Sequence, residues 1–120
     1  MAMSTAVAVS DASAAAQSLA GNWSGGGNVH YGDTRERASC RARFTGSGAN
    51  FSMNAACATQ SGRVDQSASL HKVGPNRYAG SFYNSQYGIS GSISISVSGN
   101  SMSVNLAGNS GGGSLKLRKN

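Results

Sequence analysis

Arg35, Arg37, Arg41 and Arg43, with Ser39 at the step between the two pairs, are the residues of this sequence best placed to do chemistry. Successive side chains of an extended chain point to opposite faces, so these four arginines share one face. Guanidinium groups in such a column offer forked donors to phosphate, sulfate or carboxylate. Their outward neighbours are expected to be Asn54 and Ala56 on one side and Gly26 and Asn28 on the other, none of them acidic. Like charges set side by side cost stability. An unneutralised ladder therefore points to an anionic partner: an anionic lipid, a polysaccharide or another polyanion. Arg63, Arg77 and Lys72 are candidates to extend it. The competing reading is a solvated strand face whose arginine stems cover apolar surface. No aromatic residue alternates with the arginines, so base stacking and sequence-specific nucleic-acid recognition are not expected.

Other chemistry is thin. The formal net charge is +6, with four acids, Asp11, Asp33, Glu36 and Asp65, and two histidines, His30 and His71. Catalysis needs converging titratable groups. Asp33 and Glu36 flank one turn beside Arg35 and Arg37 and are expected to pair with arginine there. His30 and His71 fall on outward positions of different strands. No serine sits in a nucleophile elbow, and "SGGGN" and "SGGGS" lack the lysine and helix of a phosphate loop. A non-enzymatic protein with no cofactor and no metal is expected.

The elements that must position the arginines are strands. From Ile89 to Leu106 apolar residues or glycine alternate with serine or asparagine, broken only at Gly99-Asn100. A tight hairpin there pairs Val97 with Met102, Ile95 with Val104 and Ile93 with Leu106, and a one-residue slip would reverse every side chain. The same test upstream places Leu70 opposite Gly80, Cys57 opposite Val64, Met53 opposite Ala68 and Phe44 opposite Met53. It further expects Tyr31 opposite Ala38, Val29 opposite Cys40, Phe82 opposite an inward Tyr87, and Leu106 opposite Leu115. Small inward residues such as Gly25, Gly27, Gly80 and Gly91 are read as making room for aromatic rings, with the lining of a cleft as the alternative. The result is eight short strands in an antiparallel up-and-down meander. Closure into an all-β barrel removes both edges. A β-sandwich with one crossing connection is the alternative. Eight strands leave an interior that side chains fill or that holds one small ligand.

Cys40 and Cys57 fall directly opposite each other in the hairpin that turns at Gly48-Ala49, on the apolar face. A cross-strand disulfide is expected, which implies an oxidising compartment, periplasmic or secreted. Two buried thiols or half a metal site are the alternatives. No stretch has the run of apolar residues a membrane-spanning helix needs. Residues 1–18 are alanine-rich and resemble the tail of a secretory signal or a flexible arm, leaving 19–120 as a single domain.

The segments "LAGNWSGGGNV", "ASCRARF" and "NFSMNAACA" resemble those of small secreted bacterial proteins. Gly21, Asn22 and Trp23 also resemble the Gly-x-Trp start of calycin barrels, a superfamily with lipocalin, avidin and metalloprotease-inhibitor members. The resemblance implies that Trp23 plugs one barrel end beside a basic residue of the last strand, Arg118 or Lys116. Likeness to the metalloprotease inhibitors implies a second function, protease inhibition through the N-terminal arm. The single tryptophan does not match the aromatic ligand ring of avidins.

Overall fold

The computed structural model describes residues 19–120, and in it each strand pairs antiparallel with its chain neighbours: β1 (Gly21–Tyr31), β2 (Thr34–Ser47), β3 (Asn50–Thr59), β4 (Gly62–Gly74), β5 (Arg77–Asn84), β6 (Ile89–Ser98), β7 (Ser101–Gly108) and β8 (Gly111–Lys119). β8 pairs with β1, so the sheet closes as a barrel in chain order. Closure leaves no strand with an unpaired edge, which removes the template for edge-to-edge association.

The alternation decides the faces. Ile93, Ile95 and Val97 of β6 are buried, as are Met102, Val104 and Leu106 of β7, while the serines between the β6 positions are exposed. The three expected β6–β7 rungs are present. So are Leu70 opposite Gly80, Cys57 opposite Val64, Met53 opposite Ala68 and Phe44 opposite Met53. Side chains fill the interior. A hollow bounded by Val29, Gln66, Phe82 and Asn84 measures only about 10 Å³, of the order of one water.

Three registers differ from expectation. Tyr31 lies opposite Thr34 and Val29 opposite Glu36, because the chain turns at Gly32-Asp33, with Gly32 at φ +57°. Leu106 lies opposite Gly113, not Leu115. Phe82 lies opposite Gly91, and Tyr87 is not an inward strand residue. It stands 45% exposed in the 85–88 connection. There the buried Asn84 side chain accepts the Tyr87 backbone N–H at 3.1 Å, and the Tyr87 ring stacks on Tyr31 with centroids 4.9 Å apart. All three shifts are by even numbers of residues, so the face of every residue that stays in a strand is preserved, and Tyr87, outside the strands, is the exception. A period of two cannot distinguish them.

The inward glycines serve the backbone more than the rings. A Cβ on Gly80 would lie 1.8 Å from the Ser69 carbonyl oxygen, and one on Gly91 2.1 Å from that of Ala107. Neighbouring strands approach there too closely for any side chain, as where a small barrel bends sharply.

One end of the barrel carries the start of β1 and the end of β8. Trp23 is 1% exposed, and its Nε1–H donates to the carbonyl of the fully buried Leu19 at 3.0 Å. The basic group over its ring is Lys119, with Nζ 5.5 Å from the centroid. It is neither Arg118 nor Lys116. Leu115 and Leu117 point inward, so Lys119 shares their face while Lys116 and Arg118 face out. Arg118 instead donates to the Ser101 hydroxyl at 3.4 Å.

Candidate functional site

β2 is extended and continuously paired, which brings Arg35, Arg37, Arg41 and Arg43 into one exposed column between the buried Ala38, Cys40, Ala42 and Phe44. At strand rise the column runs about 26 Å from Arg35 to Arg43. Arg41 lies between Ser24 and Ala56, and Arg43 between Asn22 and Asn54. Arg37 and Arg35 lie opposite Asn28 and His30. The expected β3 neighbours are therefore in place, while the β1 neighbours are displaced by the register shift.

None of the four arginines makes an ion pair among the described residues. The salt bridge there joins Arg63 Nε to Asp65 Oδ1 at 2.8 Å. Lys72 and Arg77, the other suggested extensions of the column, stand near the β4–β5 turn away from it. The opposite wall is neutral: residues 89–108, all of β6 and β7, contain no charged side chain. The basic surface is thus one-sided.

Arg41 borders two open grooves. The larger, of about 810 Å³, lies over Cys40, Ala56, Ala58 and Arg63. The other, of about 600 Å³, crosses β1 to β5. One bank of the second groove is the rung Asn22, Arg43, Asn54, Ser67 and Tyr83, each directly paired with the next. The other bank is Arg41, Ala56 and Asp65, likewise paired in succession. Ala56 and Ser67 are short, so the arginines and Tyr83 rise as walls around a low floor. Tyr83 is 51% exposed. It escapes a reading that looks for aromatics beside the arginines, because it lies three strands away. The signal that finds it is parity: Phe82 points in, so Tyr83 points out.

The acids do not neutralise the column. Glu36 is held away from the arginines by the opposite end of the barrel, contrary to the expected pairing. Its carboxylate accepts the Ser61 hydroxyl and, at 3.1 Å, the Tyr31 hydroxyl, and the Ser61 backbone N–H lies 3.3 Å away. Hydrogen bonds from Ser61 and then Thr59 hold the Glu36 carboxyl below the usual carboxylate range. Burial pushes the Tyr31 phenol up. Because the folded pKa of Glu36 lies below its unfolded value of about 4.3, its contribution is present above that value and is lost as pH falls through the folded pKa. A Glu36→Gln variant should therefore show a flatter acid limb in melting temperature against pH. The wild-type advantage at pH 6 should shrink as pH falls below about 4. An advantage that is constant from pH 6 to pH 3 would show that the carboxylate charge does not support this end.

Cys40 and Cys57 are joined, with S–S 2.06 Å and Cα atoms 4.0 Å apart, in direct opposition across β2 and β3. Among the described residues no three His, Cys, Asp or Glu side chains gather as a metal site, and no helix is long and apolar enough to cross a membrane. A membrane-spanning barrel presents an apolar band outward, whereas the outward positions of β2 and β6 are arginine, serine and threonine. The suggested inhibitory arm, residues 1–18, lies outside the described residues.

Fold and wall together define a small, closed, antiparallel eight-stranded barrel, a kind of fold that binds small ligands, here with a filled interior and a basic flank. No family model matches the chain, and no curated protein matches it in sequence. Among solved structures it is similar to a de novo designed fluorescence-activating β-barrel, with a TM-score of 0.66 and 17% identity over 88% of this chain and 97% of that one. At that identity the likeness concerns the fold alone.

Proposed function

We propose that this protein is a non-enzymatic, calycin-like binding module of an oxidising compartment, secreted or periplasmic, that holds a polyanion on the outer wall of its barrel. Arg35, Arg37, Arg41 and Arg43 are the binding residues. The observation that carries this reading is the column itself: four exposed guanidinium groups on one strand, with no acidic partner among the described residues. Arginine suits the task because its planar fork meets sulfate, phosphate or carboxylate with paired hydrogen bonds. The filled interior favours the wall over the lumen as the place of binding. The disulfide supports an oxidising compartment. Two of the acids a catalytic reading would need are engaged, Glu36 with Ser61 and Tyr31 and Asp65 with Arg63.

Retention on heparin resin tests the reading. The wild-type protein should bind at low salt and elute at moderate salt, because exposed charges are screened. Arg41→Glu with Arg43→Glu should weaken binding by at least about 100-fold, since a hydrogen bond to a charged group contributes roughly 1.5–3 kcal/mol and two are removed. Lys72→Glu with Arg77→Glu makes the same change in net charge outside the column and should cost much less. Equal losses from the two pairs would mean that net charge, and not the column, holds the ligand.

A further inference from the structure

We infer that the groove between Arg43 and Arg41 is a saccharide subsite, and that the polyanion is an acidic oligosaccharide whose sugar ring lies on Tyr83. This rests on the polyanion reading and narrows its ligand. The groove combines three features. Arg41 and Arg43 supply positive charge on its two banks, about 7 Å apart along one strand. Asn54 and Ser67, on successive strands between Arg43 and Tyr83, supply uncharged donors and acceptors. At the far end the half-exposed Tyr83 offers a flat apolar face, of the kind that gives contact area at low entropy cost. From Arg43 to Tyr83 the rung crosses three strand spacings, roughly 14 Å. An extended ligand can therefore rest a ring on Tyr83 and place a carboxylate or sulfate at the arginines.

The same features disfavour other polyanions. Single-stranded nucleic acid stacks successive bases on successive aromatic residues. Here Tyr83 is the exposed aromatic of the groove, Trp23 being buried beneath it, and Tyr87 is already stacked on Tyr31. Asp65 stands on the bank opposite Tyr83 with one oxygen bound to Arg63. Its remaining lone pairs accept hydroxyl groups but repel a chain with a phosphate at every unit. A lipid surface would need several large apolar side chains to insert, and Tyr83 is the one large exposed apolar residue among those described in the groove.

Calorimetric titration with a size-defined heparin oligosaccharide tests this, alongside inorganic polyphosphate and a single-stranded oligonucleotide of matched charge. Tyr83→Ala should weaken the oligosaccharide about tenfold, Tyr83→Phe should restore it, and neither should change polyphosphate binding. Tyr83 is half exposed, so the variants are expected to fold. If Tyr83→Ala leaves oligosaccharide affinity unchanged while Arg41→Glu with Arg43→Glu abolishes it, the subsite is wrong and the polyanion wall stands. If the oligonucleotide binds as tightly and loses as much on Tyr83→Ala, the occupant is a nucleic acid and the saccharide assignment falls. If the wild-type protein binds none of the three probes, both proposals fall together.

Discussion

Replacing Trp23 by alanine should lower the stability of the barrel by about 4 kcal/mol, within the range found for deleting a large buried aromatic. Trp23 is 1% exposed and sits where the first strand enters the barrel. Three favourable terms disappear with it. The ring is surrounded by core on one side and by the fully buried Leu19 on the other. Its N–H satisfies the Leu19 carbonyl, which would otherwise be a buried acceptor without a partner. The Lys119 ammonium loses the face it lies over. The neighbour opposite on β2 is Ala42, too small to fill the space, so the cavity would persist. A loss this size is a large part of the total for a domain of this length. Trp23→Phe separates the terms: it keeps most of the buried ring and removes the N–H, and should cost about 1–2 kcal/mol. Denaturant unfolding measures both. A Trp23→Ala midpoint within error of wild type would mean that the tryptophan does not close the barrel end.

The second large effect is expected from the disulfide. Cys40 and Cys57 are 17 positions apart in sequence. Closing a loop of that size in the unfolded chain is worth about 3 kcal/mol in the chain-entropy description. Cys40→Ala with Cys57→Ala should therefore lower the melting temperature by on the order of 15 °C. The bond lies under the middle of the arginine column, between strands that also carry the floor of both grooves. The doubly substituted protein should still fold and still bind polyanion below its melting temperature, because β2 and β3 remain paired through their other rungs. Reduction of the wild-type protein should reproduce the shift. A melting temperature unchanged by both treatments would show that the cross-link contributes nothing and would weaken the case for an oxidising compartment.

Much of the arginine wall is legible in the sequence, and the reason is local. A β-strand assigns faces by parity, so Arg35, Arg37, Arg41 and Arg43 had to emerge together once Cys40, Ala42 and Phe44 were taken as buried. The Cys40–Cys57 pair followed from one tight hairpin. Lys119 could also have been found in this way, because Leu115, Leu117 and Lys119 share a parity that Arg118 does not. The likeness of the Gly-x-Trp motif points to Arg118 or Lys116 as the partner of Trp23, whereas the alternation points to Lys119, the residue over the ring.

The amino-acid sequence by itself determined the strand class, the inward and outward sets, the one-sided charge and the cysteine pairing, because each depends on alternation or on a single turn. The tertiary structure alone decided three registers, the position of Tyr87, and the meeting of Glu36 with Ser61. Shifts of two or four residues leave every face unchanged, so no hydrophobic pattern selects among them. It also decided the groove. Arg43 and Tyr83 are 40 positions apart, and only the combined registers of β2 through β5 set them on one rung.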